Sequence, residues 1–489
     1  MVAKSVSYAF SFLLPLLLVR WLSQEEFGLY KQVFLVVGTA MMVLPLGFGM
    51  SAFYFLPRES ERKGKVILNI MLFYAAIGGL ACAVLVLKPT ILETLFNTRE
   101  LTPYAPLIGL VILFWILSSQ LETIAVANQE FVTATTFIVV AQLTKTTLLI
   151  AAAAFFDSLL SLIWAAIIQG VVQTILLLGY LHSRFRHFWR SFSWSMLGTQ
   201  LSYALPLGFA GVLLSLQNDL HNYFVANSFG PASFAIYAIG CFQLPLMSIM
   251  SDAVGSVMIP RVSGLQQRNN REEIVQVTAA AMRKLAVVYF PLYVFLLLMA
   301  REFITVLFTK AYLESWPIFL VNLSLVPIGI LVTDPILRAY TEQRYFLLRV
   351  KIAVFIMLFL VLWFGISFLS LVGVIGVVVA ANILERLITA GRIARVLKIS
   401  RRDAPWFADI PKLAAAAIGA GAITALMHAV LPGAKPLLVL CICAAVYAIC
   451  YSLAIFLLKV PTPKEREYLR HLIARVGRAP WKRAPELIS

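Results

Sequence analysis

Charge is scarce in this chain. Only 13% of its 489 residues are Asp, Glu, Lys or Arg, about half the share found in ordinary soluble proteins. Acidic residues are the rarer group, with 23 Asp and Glu against 40 Lys and Arg, and His and Cys occur five times each. This shortage excludes a soluble enzyme, a disordered chain and a large soluble domain.

Apolar residues are correspondingly abundant, and 61% of the chain is hydrophobic. A membrane-spanning helix needs about 20 such residues, so the chain has enough for at most about fifteen spans. We predict an all-α polytopic membrane protein with fourteen transmembrane helices, the first of them uncleaved, from apolar windows at 5–22, 31–55, 66–87, 104–124, 132–155, 158–181, 200–224, 234–258, 284–300, 317–335, 346–366, 371–391, 412–430 and 437–458.

The basic residues divide unevenly between the loops. With the N-terminus in the cytoplasm, 31 Lys and Arg fall in inner segments and seven in outer segments. Cytoplasmic loops are enriched in Lys and Arg, so we expect both termini to be cytoplasmic. Topology then explains most of the +17 net charge, and no nucleic-acid partner is expected.

Weak internal repeats indicate a duplication. Short matches recur about 200 residues apart, in the same order and at the same predicted membrane depth: Ser7-Tyr8-Ala9 with Ser202-Tyr203-Ala204, Phe27-Gly28 with Phe229-Gly230, Pro45 with Pro245, and Leu56-Pro57-Arg58 with Ile259-Pro260-Arg261. Six spans separate the matches, which predicts two six-helix lobes in a parallel pseudo-two-fold repeat. We expect lobes at 1–199 and 200–411, two appended helices at 412–458 and a cytoplasmic tail at 459–489.

The stretch 16–30 carries a family resemblance, because an apolar run and Arg20 precede a short polar turn and Phe27-Gly28-Leu29-Tyr30. It resembles the first outer turn of the Wzx-like polysaccharide-biosynthesis flippases, which belong to the multidrug/oligosaccharidyl-lipid/polysaccharide exporter superfamily. Further matching residues are Gln129, Leu205-Pro206-Leu207-Gly208, Asp219, Phe229-Gly230-Pro231, Tyr237-Ala238 and Phe308-Thr309-Lys310-Ala311-Tyr312. The chain departs from the family pattern at Lys310 and Ala311, where Gly is frequent, and at His221, where a basic residue is usual.

The resemblance implies a flippase in the bacterial cytoplasmic (inner) membrane. It would carry a polyprenyl-pyrophosphate-linked oligosaccharide from the inner to the outer leaflet by alternating access. Its partners would be this lipid, membrane lipids and polysaccharide polymerase or assembly proteins. No catalytic residue, cofactor or metal is expected, and coupling to H⁺ or Na⁺ stays open.

A sugar headgroup needs a polar cavity to cross the hydrocarbon, because unpaired polar groups are costly there. Charged side chains inside spans usually face such a cavity. Lys145 lies in the middle of a predicted span, in the polar strip Gln142-Leu143-Thr144-Lys145-Thr146-Thr147. We therefore assign Lys145 and Gln142 to the substrate cavity, with the ammonium facing pyrophosphate. Snorkelling to the interface is the alternative for Lys145.

Other polar residues near span ends are candidate coupling or gate residues. Asn218, Asp219 and His221 cluster near the outer end of the seventh span, as an ion-coupling site or as a latch. Arg20 and Lys31 flank the first outer turn, and we assign them to the substrate cavity as exit-side phosphate contacts, with an outer gate or an interfacial position as the alternatives. The residues near the predicted cytoplasmic side that we expect to form gate ion pairs, or to be solvated, are Glu122, Asp252, Arg58, Arg261 and Arg338.

Other function classes remain open. A membrane glycosyltransferase, polymerase or ligase would need catalytic side chains on large outer loops, and the longest predicted one, 88–103, has no paired-acid motif. A multidrug or cation exporter of the same superfamily usually has twelve spans and carboxylates in its cavity. A peptidoglycan lipid-precursor flippase also has fourteen spans and is the third alternative.

Overall fold

The computed structural model describes residues 2–58, 63–185, 188–431 and 433–460, so most of the predicted tail at 459–489 lies outside the described residues. The described part is helical and contains no strand. The helices of its first half are α1 (Val2–Trp21), α2 (Gln24–Val43), α3 (Met50–Phe55), α4 (Lys63–Leu87), α5 (Thr90–Phe96), α6 (Ala105–Ser118), α7 (Gln120–Ala127), α8 (Phe131–Phe156) and α9 (Leu159–Arg184).

The second half begins with one long bent helix and continues through shorter ones. Short 3-10 turns connect several of them, including Lys310–Ser315 and Arg401–Phe407. The helices are α10 (Trp194–Gly240), α11 (Pro245–Gln267), α12 (Arg271–Leu298), α13 (Ala300–Phe308), α14 (Trp316–Leu323), α15 (Leu325–Ile328), α16 (Asp334–Ala339), α17 (Arg344–Gly365), α18 (Leu371–Val396), α19 (Asp409–Ala429) and α20 (Pro436–Leu457).

The number of long apolar helices agrees with the prediction of a polytopic membrane protein. Eleven helices of the described residues are long and apolar enough to cross a membrane, and the bent α10 makes twelve. The predicted windows 5–22 and 234–258 are outside this set: α1 has a shorter apolar part, Ala9–Trp21, and the second window is split between α10 and α11. The count of fourteen and the two-lobe symmetry therefore stay predictions.

Local sequence explains where the helices begin and bend. Ser23 starts α2 with a capping box, in which its hydroxyl accepts from the Glu26 backbone and the Glu26 carboxylate accepts from the Ser23 backbone. Within α10, Gly230 has a φ of 77°, a left-handed conformation that glycine adopts without steric cost. Pro231 follows as the first residue of the next helical segment, so the helix is broken there.

Helices α2 and α10 pack along each other and join the two halves of the chain. The side-chain amide of Gln32 donates to the Ala226 carbonyl at 3.4 Å, and the Tyr223 hydroxyl donates to the Leu35 carbonyl at 3.4 Å. A Cβ at Gly28 would overlap the Pro231 carbonyl group, and one at Gly208 would overlap the Leu46 carbonyl. We call this contact the α2–α10 seam.

A second contact joins the halves at the end of α1. Arg20 donates to the Val306 carbonyl at 3.0 Å, and the Gln24 amide donates to the Ala311 carbonyl at 2.6 Å. The rings of Phe27 and Tyr312 meet edge to face with centroids 5.9 Å apart. We call these contacts the outer latch, because the distribution of basic residues predicts that this end faces outward.

Candidate functional site

A cavity of about 290 Å³ surrounds Lys145 within the first half of the chain. Its walls come from α6 and α7, from α8, which carries Lys145, and from α9, with Met41 of α2 completing the lining. The Lys145 ammonium lies over the indole ring of Trp115, 4.3 Å from the ring centroid. The indole N–H of Trp115 donates to the Ala166 carbonyl at 2.9 Å, so the ring is fixed beneath the cation.

Three amide side chains, those of Gln142, Gln169 and Gln173, line this Lys145 cavity. Gln142 donates to the Thr146 hydroxyl at 3.2 Å, and Gln173 donates across to the Thr144 hydroxyl at 3.3 Å. Gln169 is only 7% exposed, and its carbonyl oxygen has no hydrogen-bond partner among the described residues. A buried acceptor without a donor is costly, so this wall of the cavity is suited to a hydroxyl or water donor.

The Lys145 cavity combines a cation for an anionic group with amides for hydroxyl groups. Its volume is near the lower limit of ordinary ligand sites, about 300 Å³. It therefore has room for a phosphate group or a single sugar, but not for a whole oligosaccharide. Glu122 also lines the cavity, although no ion pair joins it to Lys145 among the described residues. Both signs of charge are thus present in one cavity.

The other two predicted cavity residues lie elsewhere. Neither Arg20 nor Lys31 belongs to the described lining of the Lys145 cavity. Arg20 donates to the Leu16 carbonyl and takes part in the outer latch. Lys31 lies on α2 with its ammonium 5.4 Å from the centroid of the Phe27 ring. Sequence reasoning placed these cations near the site because it could not assign them to a helix face.

The predicted cluster of Asn218, Asp219 and His221 does not lie on one face of α10. His221 is buried, and its Nδ1 shares a 2.8 Å hydrogen bond with the Tyr237 hydroxyl. This bond connects the two segments of α10 across the bend at Gly230. Asp219 lies one helical turn before Tyr223, which contacts α2, so Asp219 is on the seam side, while Asn218 is exposed.

The predicted cytoplasmic-side residues also spread apart. Arg261 pairs with Glu273 at 3.5 Å, and Arg338 pairs at 2.7 Å with Asp334 of its own helix. The Arg58 guanidinium stacks over the Tyr54 ring at 3.7 Å. Asp252 is exposed on α11. Glu122 lies in the Lys145 cavity.

An ion-pair network between helices of the second half was missed from sequence. Lys351 of α17 and Glu385 of α18 lie 2.8 Å apart, with side chains 23% and 14% exposed. The Gln217 amide of α10 donates to the other Glu385 oxygen at 3.0 Å. Lys351 lies in the predicted window 346–366 and Glu385 in the window 371–391, and the sequence does not show that the two side chains face each other. The cavity residues Gln169 and Gln173 were also missed, although their four-residue spacing in an apolar span puts them on one helix face.

We expect removal of one member of the Lys351–Glu385 pair to destabilise the protein. Glu385→Leu leaves the Lys351 ammonium without its carboxylate in an apolar environment, at a cost of up to about 3 kcal/mol for such a partly buried pair. The double variant Lys351→Met with Glu385→Leu removes both charges and should recover most of this loss. Thermal unfolding of the purified protein measures both effects. Equal melting temperatures for the single and double variants would contradict a coupled pair.

Among the described residues, no group of three or more His, Cys, Asp or Glu side chains is placed to hold a metal ion. The five cysteines are all free.

Comparisons with known proteins agree with this architecture. Residues 17–317 match the family model described as "Polysaccharide biosynthesis protein". No curated protein sequence matches the chain. A solved structure titled "Lipid II flippase MurJ, inward closed conformation" is similar in fold, with a TM-score of 0.72, 16% identity, and coverage of 94% of this chain and 98% of that chain.

Two other solved structures show the same fold in different states. One is titled the inward-facing conformation of a multidrug resistance MATE family transporter of the MOP superfamily, with a TM-score of 0.60, 14% identity, and coverage of 81% of this chain and 94% of that one. The other is titled the outward-facing conformation of such a transporter, with a TM-score of 0.55, 15% identity, and coverage of 82% and 95%. At these identities the likeness concerns the fold alone.

Proposed function

Because the chain belongs to the polysaccharide biosynthesis protein family and is a multi-pass membrane protein of the MOP fold, we propose that it is a lipid-linked oligosaccharide flippase. It moves a polyprenyl-pyrophosphate-linked repeat unit of a surface polysaccharide from the inner to the outer leaflet. Its place is the bacterial inner membrane, with both termini in the cytoplasm. The reaction is a translocation that breaks no covalent bond, so the protein is not an enzyme and uses no cofactor.

The Lys145 cavity is the observation that carries this proposal. An ammonium held over Trp115 attracts pyrophosphate, and the unpaired carbonyl of Gln169 accepts from a sugar hydroxyl. A cation alone would suit any anion, and amides alone would suit any polyol. Their combination in one cavity within an apolar helix bundle suits a phosphate-linked sugar. The polyprenyl tail stays in the bilayer, where it needs no cavity.

The α2–α10 seam and the outer latch supply the moving parts of alternating access. Both connect the halves of the chain through few polar contacts, mostly to backbone carbonyls. Hydrogen bonds of this kind can re-form after the halves separate, because each side-chain donor needs only one backbone carbonyl as its acceptor. Asp219 on the seam side of α10 is our candidate for H⁺ or Na⁺ coupling, and His221 is a latch within α10.

Genetic complementation tests the proposed function. The gene is deleted from its host, and surface polysaccharide and lipid-linked repeat units are quantified. We expect surface polysaccharide to disappear and the lipid-linked repeat unit to accumulate on the cytoplasmic leaflet, with both effects reversed by the intact gene. Unchanged surface polysaccharide together with no accumulation would contradict the proposal.

A peptidoglycan-precursor flippase is a second candidate. The fold similarity to a structure titled as a lipid II flippase over 94% of this chain favours it. Expression of the chain in cells depleted of their own lipid II flippase separates the two candidates. Rescue of growth would support lipid II as substrate, whereas failure of rescue with normal membrane abundance supports the oligosaccharide lipid. A multidrug cation is the weaker fit, because the cavity itself contains a lysine.

A further inference from the structure

The loop between α9 and α10 presents a group of exposed aromatic side chains. It contains the 3-10 turn Phe188–Arg190 and connects the two predicted lobes. Trp189 is 45% exposed, Phe192 is 40% exposed and Trp194 is 76% exposed, and Arg190 is exposed between the first two. We call Trp189, Arg190, Phe192 and Trp194 the linker surface. Three exposed rings within six residues form a patch, and such patches mark binding surfaces more often than single exposed apolar residues do.

The other side of this loop is held against the rest of the protein. Phe185 and Phe188 are buried, and the 3-10 turn packs on α4. The side-chain amide of Asn69 on α4, itself buried, donates to the Ser193 carbonyl at 2.9 Å, and the Ser193 backbone N–H donates to the Asn69 Oδ1 at 3.4 Å. The Ser193 hydroxyl also caps α10 by accepting from the Met196 backbone. The loop is therefore anchored on one side, and the linker surface is what it exposes on the other.

The linker surface lies close to the boundary of the membrane. Helix α9 and the bent α10 are both candidate membrane spans, and only the nine residues 185–193 join Arg184 at the end of one to Trp194 at the start of the other. Trp189 is five residues from each of these ends, at most about 18 Å of extended chain. Trp is enriched at membrane–water interfaces, because its ring is apolar and its N–H is polar. The place of these rings in the chain therefore suits contact with lipid headgroups.

The charge at the linker surface has one sign. The sequence contains no Asp or Glu from position 188 to position 218. The nearby Arg184 is paired with Glu130 at 3.2 Å, whereas Arg190 has no ion pair among the described residues. A basic side chain at a membrane surface attracts anionic lipids, and a guanidinium group can donate two hydrogen bonds to one phosphate. The partner that complements this surface is therefore a negatively charged headgroup.

We propose that the linker surface docks on the headgroups of the adjacent leaflet and selects anionic phospholipids there. The distribution of basic residues predicts that this leaflet is the cytoplasmic one. The rings of Trp189, Phe192 and Trp194 lie among the headgroups, and Arg190 contacts the phosphate of an anionic lipid. Because the loop connects the two predicted lobes, this contact holds their connection at the membrane surface. The lipid is part of the surrounding leaflet and is not the transported molecule, so the inference does not depend on the proposed function.

Fluorescence quenching by nitroxide-labelled lipids measures which lipid lies beside the linker surface. An NBD fluorophore is attached at Ser195→Cys, an exposed position next to Trp194, in the full-length chain after its five native cysteines have been replaced. The protein is reconstituted into phosphatidylcholine containing an equal small fraction of nitroxide-labelled phosphatidylglycerol or nitroxide-labelled phosphatidylcholine. We expect the glycerol lipid to be enriched about fivefold beside the fluorophore relative to the choline lipid, the size of effect that one basic residue near a lipid surface produces.

Matched variants separate the charge from the rings. Arg190→Ala should remove most of the enrichment, whereas Arg190→Lys keeps a cation and should retain it. Trp194→Ser should weaken quenching by both lipids, because the fluorophore then moves away from the bilayer. Lys88→Ala removes an exposed lysine of a predicted outer loop and should change neither result.

A fluorophore at Glu100→Cys, an exposed position of that predicted outer loop, shows whether the enrichment is local. We expect no preference between the two lipids there. The same enrichment at positions 100 and 195 would indicate general attraction of anionic lipid to a basic protein and would overturn the proposal. So would equal quenching by the two lipids at position 195, an unchanged enrichment in Arg190→Ala, or the absence of quenching by either lipid.

Discussion

Replacing Lys145 with Ala is expected to abolish rescue of surface polysaccharide in a strain that lacks the native gene. The ammonium is the positive charge in the described lining of the Lys145 cavity, and a charge-assisted hydrogen bond to a headgroup is worth about 1.5–3 kcal/mol. Loss of this bond weakens headgroup binding about ten- to hundredfold. Surface polysaccharide and the membrane abundance of the variant are measured in the same cells.

Two further variants define the role of the charge at position 145. Lys145→Arg keeps a cation over Trp115 and should retain part of the activity, since guanidinium groups also bind phosphate and stack on indole rings. Lys88→Ala removes an exposed lysine outside the cavity and should behave as the unchanged protein. If Lys145→Ala restores normal amounts of surface polysaccharide, Lys145 does not bind the headgroup.

Adding one methyl group at Gly28 or Gly208 should prevent the α2–α10 seam from closing. Each added Cβ would overlap a backbone carbonyl group of the facing segment, and backbone cannot rotate away as a flexible side chain can. Overpacking of this kind costs about 1–3 kcal/mol. The closed arrangement should therefore lose population about five- to hundredfold relative to open ones, with a matching loss of transport.

The same helices provide controls for the seam. Gly38 of α2 and Gly211 of α10 have nothing within 4 Å of an added Cβ, so Gly38→Ala and Gly211→Ala should preserve both the arrangement and the activity. Spin labels at positions 25 and 310, both exposed beside the outer latch, report the distance between the halves once native cysteines are replaced. We expect Gly28→Ala to lengthen that distance. An unchanged distance would show that the seam does not determine the closed state.

The composition of single segments was enough to predict the position of Lys145 and the family. Lys145 was identified because an isolated charge in a long apolar window is itself a signal, and the structure places it in a cavity with Gln142. The family assignment was also available, since the turn between Arg20 and Tyr30 carries a local pattern, and the family match confirms it. Both predictions depend on residues that are close together in the chain.

Contacts between residues that are far apart in the chain could not be predicted from the sequence. Glu122 looked like a gate residue because hydropathy gives depth along a helix but not the face that a side chain occupies. The Lys351–Glu385 pair joins residues 34 positions apart in two separate apolar windows, and composition does not show which residues of two helices face each other. The broken segment at 241–244 likewise divides a window that looks continuous by composition.

Flipping by the purified chain tests the central claim most directly. The protein is reconstituted into liposomes with a fluorescent polyprenyl-pyrophosphate-linked oligosaccharide, and a membrane-impermeant quencher reports the fraction of headgroups in the outer leaflet over time. We predict that the unchanged protein equilibrates the headgroup between leaflets and that Lys145→Ala does so no faster than protein-free liposomes. Equal rates for the unchanged protein and empty liposomes, under conditions in which the protein is folded, would contradict the account.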